Sequence, residues 1–189
     1  MSKYTIGSYK VPVKNAKSIV CMATIEIAKE EDMPTDSQWN FCWQNIWKTT
    51  NFKYQQIIKI SYNLSVLGLL RYAVYEDEED KPYLLEVLHL ESAPKDLKLV
   101  EPLGKWLIWY AVQTALVFCT LGDDDTLVTL DSVEEAITYY EDIIKMEPRG
   151  WVTLAPGEYG YAFRFIKSEA QNFCQRQTNT YGQPESIQS

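Results

Sequence analysis

The feature that most constrains this chain is the stretch from Pro82 to Cys119. It begins with an apolar run, Tyr83 to Leu90 (YLLEVLHL), interrupted only by Glu86 and His89. A polar turn, ESAPKDLKLVEP, leads to one glycine, Gly104, and then to Lys105–Cys119, which is apolar nearly all round. A strand apolar on both sides is covered on both sides, and a helix apolar all round is buried. Their junction sets the free N–H groups of a helix start at the edge of a core, where an anion can be held. The rest of the chain has to be arranged around this strand–loop–helix unit.

Taken in order, residues 1–16 show no clear period and read as an extended lead-in to a single domain over 17–174. Lys17–Ala28 is rich in β-branched residues and predicts a strand. Thr35 with Gln38 forms a capping-box pattern opening a helix through Thr50, with Trp39, Trp43, Ile46 and Trp47 on one core-facing side. Tyr54–Tyr62 and Val66–Tyr75, joined at Asn63, predict an antiparallel hairpin. In the central strand 83–90, Glu86 and His89 are an odd number apart, so strict alternation puts them on opposite faces. A buried, unpaired Glu86 would cost several kcal/mol, so it has a partner or lines a cavity. His89 reads as a hydrogen-bonded core histidine. Leu127–Leu130 predicts a short strand, and Ser132 with Glu135 a second capping box that opens a helix through Lys145. Trp151–Leu154 and Tyr159–Lys167 read as closing strands, and 175–189 as a polar, disordered tail.

Composition narrows the function classes. A net charge of −8 gives no basic face for nucleic acid. No run reaches the roughly 20 apolar residues of a membrane span, and the chain reads as cytoplasmic. With one histidine and the scattered cysteines Cys21, Cys42, Cys119 and Cys174, no metal-ligand set is expected.

The element order is that of an α/β domain with a mixed sheet, and it resembles the GNAT superfamily of N-acetyltransferases. The likeness is carried by LEVLHLESAP at 85–94, PLGKWL at 102–107 and SVEEAITYYEDIIKM at 132–146. In the last of these, Ala136, Tyr140, Glu141 and Met146 fall at the family's late-helix positions. The resemblance implies a mostly antiparallel central sheet flanked by helices, with strands splayed around 83–90 and 127–130. It implies acetyl-CoA as co-substrate, held by backbone groups of Leu90, Glu91 and Ser92 and by the loop into the next helix, with Gly104, Lys105 and Lys98 around the diphosphate. It further implies Tyr140 as general acid to the departing thiolate and Glu86 or Glu91 as the base for direct attack by a primary amine. The acceptor would be an amine-bearing small molecule or a protein amino group. The family's Q/R-x-x-G-x-G/A loop is represented here by Leu99–Gly104, where Leu99, Glu101 and Pro102 depart from the pattern and only Gly104 is kept. That departure motivates a second reading, a catalytically inactive binding or regulatory protein of the same fold, with a stable partner or a homodimer. A third reading is an unrelated α/β ligand-binding domain.

Overall fold

The computed structural model describes residues 3–35, 39–120 and 122–188. Ten strands form one sheet: β1 (Ser8–Asn15), β2 (Val20–Ile27), β3 (Gln55–Tyr62), β4 (Ser65–Glu76), β5 (Pro82–Ser92), β6 (Val100–Glu101), β7 (Thr126–Val133), β8 (Glu147–Ala155), β9 (Glu158–Ile166) and β10 (Glu185–Ile187). Their spatial order is β10-β1-β2-β3-β4-β5-β7-β9-β8, with β6 also paired to β1. Among the described residues only β5 and β7 run parallel; every other pairing is antiparallel. Three helices flank the sheet: α1 (Trp43–Thr49), α2 (Gly104–Phe118) and α3 (Lys167–Tyr181).

The expected splay is present and has a definite origin. β5 and β7 pair only through Leu85↔Val128, Glu86↔Thr129 and Val87↔Leu130, although β5 runs on to Ser92 and β7 to Val133. Beyond Val87 the β7-facing edge of β5 is unpaired among the described residues, which leaves its backbone groups facing a gap. On its other edge β5 stays paired with β4, but with a bulge: Tyr72 opposes Val87 and Arg71 opposes His89, so Leu88 has no partner. One extra residue inverts the alternation beyond it. Cross-strand partners share a face, so Glu86 (opposite Ala73), His89 (opposite Arg71) and Glu91 (opposite Leu69) lie on one face. The expectation that Glu86 and His89 point oppositely is thereby corrected.

The other face, with Val87, Leu90 and Ser92, carries α2. Nine α2 residues are buried, including Trp106, Trp109 and Tyr110. Gly68 on β4 admits the helix: a Cβ there would lie 3.0 Å from Leu107 Cδ1 and 2.9 Å from Ile60 Cγ2. α3 lies on this face beside α2, with Phe165 of β9 stacked on Phe173 at 5.5 Å. The opposite face carries α1, anchored through Trp43.

Several elements differ from the sequence reading. The lead-in contains β1, whose Val11 and Val13 are buried. The first helix is limited to α1, and Gln38 of the expected capping box lies outside the described residues. Ser132 is a buried residue of β7 with an unpartnered hydroxyl, because β7 continues to Val133; no second capping box forms. The late helix is a 3-10 turn over Glu134–Ala136 followed by a π-helical turn over Tyr139–Ile144, ended by Lys145 in the left-handed region at φ 68°. The polar stretch after Gln175 continues α3 to Tyr181, and β10 then pairs with β1.

Candidate active site

On the α2 face, where β5 and β7 part, lies a cavity of about 910 Å³. Its walls are the end of β5 (Leu90, Ser92), the segment Lys95–Lys105, the β1 end at Lys14–Ala16, and Tyr139, Tyr140 and Ile143 of the π-helical turn. Sequence proximity accounts for only the first two of these walls. The π-helical turn is carried to the cavity by β7, and the β1 end by its pairing with β6.

Electrostatically the cavity is the inverse of the chain. Lys14, Lys95, Lys98 and Lys105 line it against one lining carboxylate, Glu101, in a protein of net charge −8. Glu101 is 69% exposed and paired with Lys98 at 2.7 Å, which draws its charge to the rim. Lys105 Nζ donates to the Tyr181 hydroxyl at 3.1 Å, so α3 reaches the same wall. At the start of α2, Leu103 O accepts from Trp106 N and Leu107 N at 3.1 Å each, and no side chain caps the helix. The N–H groups of the first helical residues therefore have no intrahelical acceptor. Gly104 is closely approached: a Cβ would lie 3.1 Å from the Tyr139 hydroxyl, which would have to give by a few tenths of an ångström, and 3.7 Å from Ser92 Oγ.

The two tyrosines of the π-helical turn differ in setting. Tyr140 is 8% exposed, packs on Phe163 at 5.7 Å and on Tyr139 at 5.3 Å, and has its hydroxyl pushed up to about 12 by burial. Burial also raises Tyr139, with the neighbouring Tyr140 and Tyr181 adding to the effect. Both therefore keep their protons across the neutral range.

The three carboxylates around the split have different surroundings. Glu91 is not at the cavity. Its side chain is 7% exposed on the opposite face, where Oε1 accepts from Asn40 N at 2.6 Å and Oε2 from Phe41 N at 3.2 Å and Trp43 Nε1 at 2.9 Å. With three donors on its two oxygens, it fastens the entry of α1 to the sheet. Glu86 accepts from the Tyr75 hydroxyl at 2.5 Å and stands beside Thr129 at the last paired rungs before the split. Asp131 is the one that sequence reasoning passed over. It lies on β7, one residue beyond the end of the β5 pairing, on the α1 face and solvent-accessible, yet partial burial raises its carboxyl above the usual range. The alternation in TLVTLDSV was the available signal, since Thr129 and Asp131 mark one polar face among buried neighbours.

Also on the α1 face, Arg71 and His89 oppose each other beside the bulge. Arg71 Nη2 donates to Gln55 Oε1 at 2.7 Å, and the His89 ring meets Phe41 and Trp43 edge-on at 5.0 and 6.1 Å. Burial, and then the charge of Arg71, hold His89 below the ordinary histidine range, so it is neutral at pH 7. The buried Nδ1 of His89 has no hydrogen-bond partner, so the hydrogen bond expected of a core histidine is not found at that nitrogen.

No family model matches the sequence, and no curated protein sequence matches it. Solved structures do. An uncharacterized protein from Bacillus halodurans superposes with a TM-score of 0.64 at 11% identity, over 94% of this chain and 99% of that one. A GNAT-family acetyltransferase from Bacillus cereus gives 0.51 at 12% identity, over 78% and 99%. The aminoglycoside acetyltransferase AAC(6')-Ib, solved with coenzyme A and kanamycin, gives 0.56 at 15% identity, over 79% and 98%. At such identities the likeness is one of fold. Among the described residues, no helix is long and apolar enough to cross a membrane.

Proposed function

We propose that this chain, which has the fold of the GNAT acetyltransferases, is an acyl-CoA-dependent N-acetyltransferase that acts on a primary amine. The observation that carries the reading is the lysine-rich cavity at the split between β5 and β7, set against an uncapped helix start in an acidic protein. The residues present fit a CoA thioester. Lys98, Lys105, Lys14 and Lys95 answer a polyphosphate, and the amides at Gly104 and Lys105 offer the donors that Pro102 cannot. The free edge of β5 at Leu90–Ser92 offers main-chain groups to an extended, amide-bearing arm. AAC(6')-Ib, of the same fold, was solved with coenzyme A bound.

The chemistry assigned to the chain is a direct displacement. The amine reaches the split from the α1 face, because α2 and the cavity take up the other. Asp131 or Glu86 receives the proton that the amine must lose, directly or through water. The amine nitrogen bonds to the acyl carbon, the carbon–sulfur bond breaks, and Tyr140 gives its proton to the departing thiolate. Its pKa, raised by burial to about 12, keeps the phenol protonated until then. No covalent enzyme intermediate is needed, and no Cys–His or Ser–His pair is assigned a role. AAC(6')-Ib was solved in complex with kanamycin as well as coenzyme A; the acceptor proposed for this chain is a small amine or a protein amino group.

Isothermal titration with acetyl-CoA tests the binding half, and thiol release with a panel of amines tests the transfer half. Saturable binding with amine-dependent thiol release is the expected result. Absence of any heat or thermal shift at millimolar acetyl-CoA would remove the enzyme reading and leave a binding module of the same fold.

A further inference from the structure

The α1 face holds a charge without a counter-ion. Arg71 is only partly exposed, its Nε is fully buried with no hydrogen-bond partner, and it takes part in none of the ion pairs among the described residues. Its one side-chain partner is the neutral Gln55. The chain has 26 acidic side chains against 18 basic ones, so the lack of a carboxylate here does not follow from composition. A partly desolvated guanidinium facing only a neutral amide has lost water without gaining a counter-charge. His89, its cross-strand partner, has a buried Nδ1 that is also unpartnered. On cross-strand partners that share a face, these are two nitrogens able to carry hydrogen, neither of them satisfied.

Position gives this pair a meaning. The bulge at Leu88 turns His89 onto the face from which an acceptor amine must come, two residues past the last β5–β7 rung. Phe41 stands over His89 as a wall with 38% of its surface exposed. Glu86 and Asp131, the two carboxylates able to receive a proton, are on the same face.

We propose that Arg71 and His89 form an oxyanion subsite on the α1 face beside the split, so that the acetyl acceptor is a small amine that also carries a carboxylate. The carboxylate accepts from Arg71 Nε and His89 Nδ1 and supplies the missing counter-charge, while its carbon skeleton lies against Phe41. The guanidinium fork suits a planar carboxylate. The inference rests on the acetyltransferase reading for the role of the subsite, but not for its existence.

Because His89 is the only histidine in the chain, its ring C–H resonance is a private reporter. The full-length protein, labelled with 13C-histidine, is titrated with propionate, propionamide and inorganic phosphate. A saturable shift with propionate, none with propionamide, and loss of the propionate shift in Arg71→Gln is the expected pattern. No saturable propionate shift, or an equal one in Arg71→Gln, overturns the subsite; a shift with phosphate alone overturns its assignment to a carboxylate. Arg71→Lys, which keeps the charge but not the fork, should weaken the shift without abolishing it and serves if Arg71→Gln folds poorly. In the transfer assay, β-alanine is compared with its amide. A kcat/KM preference for the acid of about 10-fold, falling toward unity in Arg71→Gln, is expected from one charge-assisted hydrogen bond. Acetyl transfer without that preference sinks this inference and leaves the enzyme reading standing. Failure to bind acetyl-CoA sinks the enzyme reading, while the histidine titration still decides the subsite.

Discussion

Glu91 offers the sharpest test of how this site is built, because a base and a fastener respond differently to its loss. Its carboxylate satisfies two main-chain amides and the Trp43 indole, and only the indole bond is fully buried. Removing the acceptor in Glu91→Ala strands that indole N–H, at about 1–3 kcal/mol for an unsatisfied buried donor. The amides of Asn40 and Phe41 belong to exposed residues and regain water, so each contributes only about 0.5–1 kcal/mol. The sum is about 3 kcal/mol, a large part of the 5–15 kcal/mol that holds a typical domain together. With a urea m-value of about 1–3 kcal/mol/M, the unfolding midpoint should fall by roughly 1–3 M with the slope unchanged. The near-UV signal of Trp43 should weaken as the α1 entry loosens. A midpoint within about 0.3 M of wild type, accompanied by loss of activity in an intact fold, would refute the reasoning and restore Glu91 as a base.

Tyr140→Phe should lower kcat by about 100-fold, within the range for loss of a general acid, while leaving the acetyl-CoA Kd unchanged by titration. Because burial holds the hydroxyl at about 12, the wild-type rate should show no alkaline limb from this group below about pH 11 in a pH–rate profile. Lys98→Gln and Lys105→Gln should each weaken acetyl-CoA binding by about 10-fold, with a shallower salt dependence than wild type. His89 should make stability pH-dependent. Its folded pKa lies below the unfolded value near 6.5, so between the two the unfolded chain holds the extra proton and stability rises with pH through that window. His89→Gln should flatten the rise, read from unfolding free energies across the acid range.

The strand–loop–helix unit at 82–118 was legible because two different periods meet there, apolar on both sides of a strand and then apolar all round a helix. The split between β5 and β7 was reached through family resemblance, and the pairing that stops at Val87↔Leu130 gives it a physical form. What escaped the sequence was set by tertiary context. Nothing in YLLEVLHLES marks Leu88 as the extra residue, because a bulge is fixed by the partner strand's register, and that one residue decides which face Glu86 and His89 share. Ser132 carries a capping signature that β7 overrides by pairing with β9 as far as Val133. Val11 and Val13 sit too briefly within the lead-in for a period to show, yet β2 on one side and the C-terminal β10 on the other make β1 an interior strand.

The glycine-poor loop is the place where sequence and structure bear on each other most directly. Glycines let a backbone approach phosphate closely, and a chain that keeps only Gly104 has given up most of that approach. On the acetyltransferase reading proposed above, the lysines of the cavity would hold the same anion by a different means. Lys98 at once neutralises Glu101 and faces the cavity, and Lys14 arrives from a strand some 85 residues earlier through the β1–β6 pairing, which sets Lys14 opposite Glu101 itself. Mobile ammonium groups grip less specifically than converging amides, but they act over a Debye length, about 8 Å at physiological salt, and draw a polyanion toward the cavity through an otherwise repulsive surface. Such a site should bind more weakly, and with a steeper salt dependence, than one built on a glycine-rich loop. The salt slope of acetyl-CoA affinity therefore separates the two designs: a slope near zero would mean that the helix amides hold the diphosphate after all and that the lysines are only solvated surface.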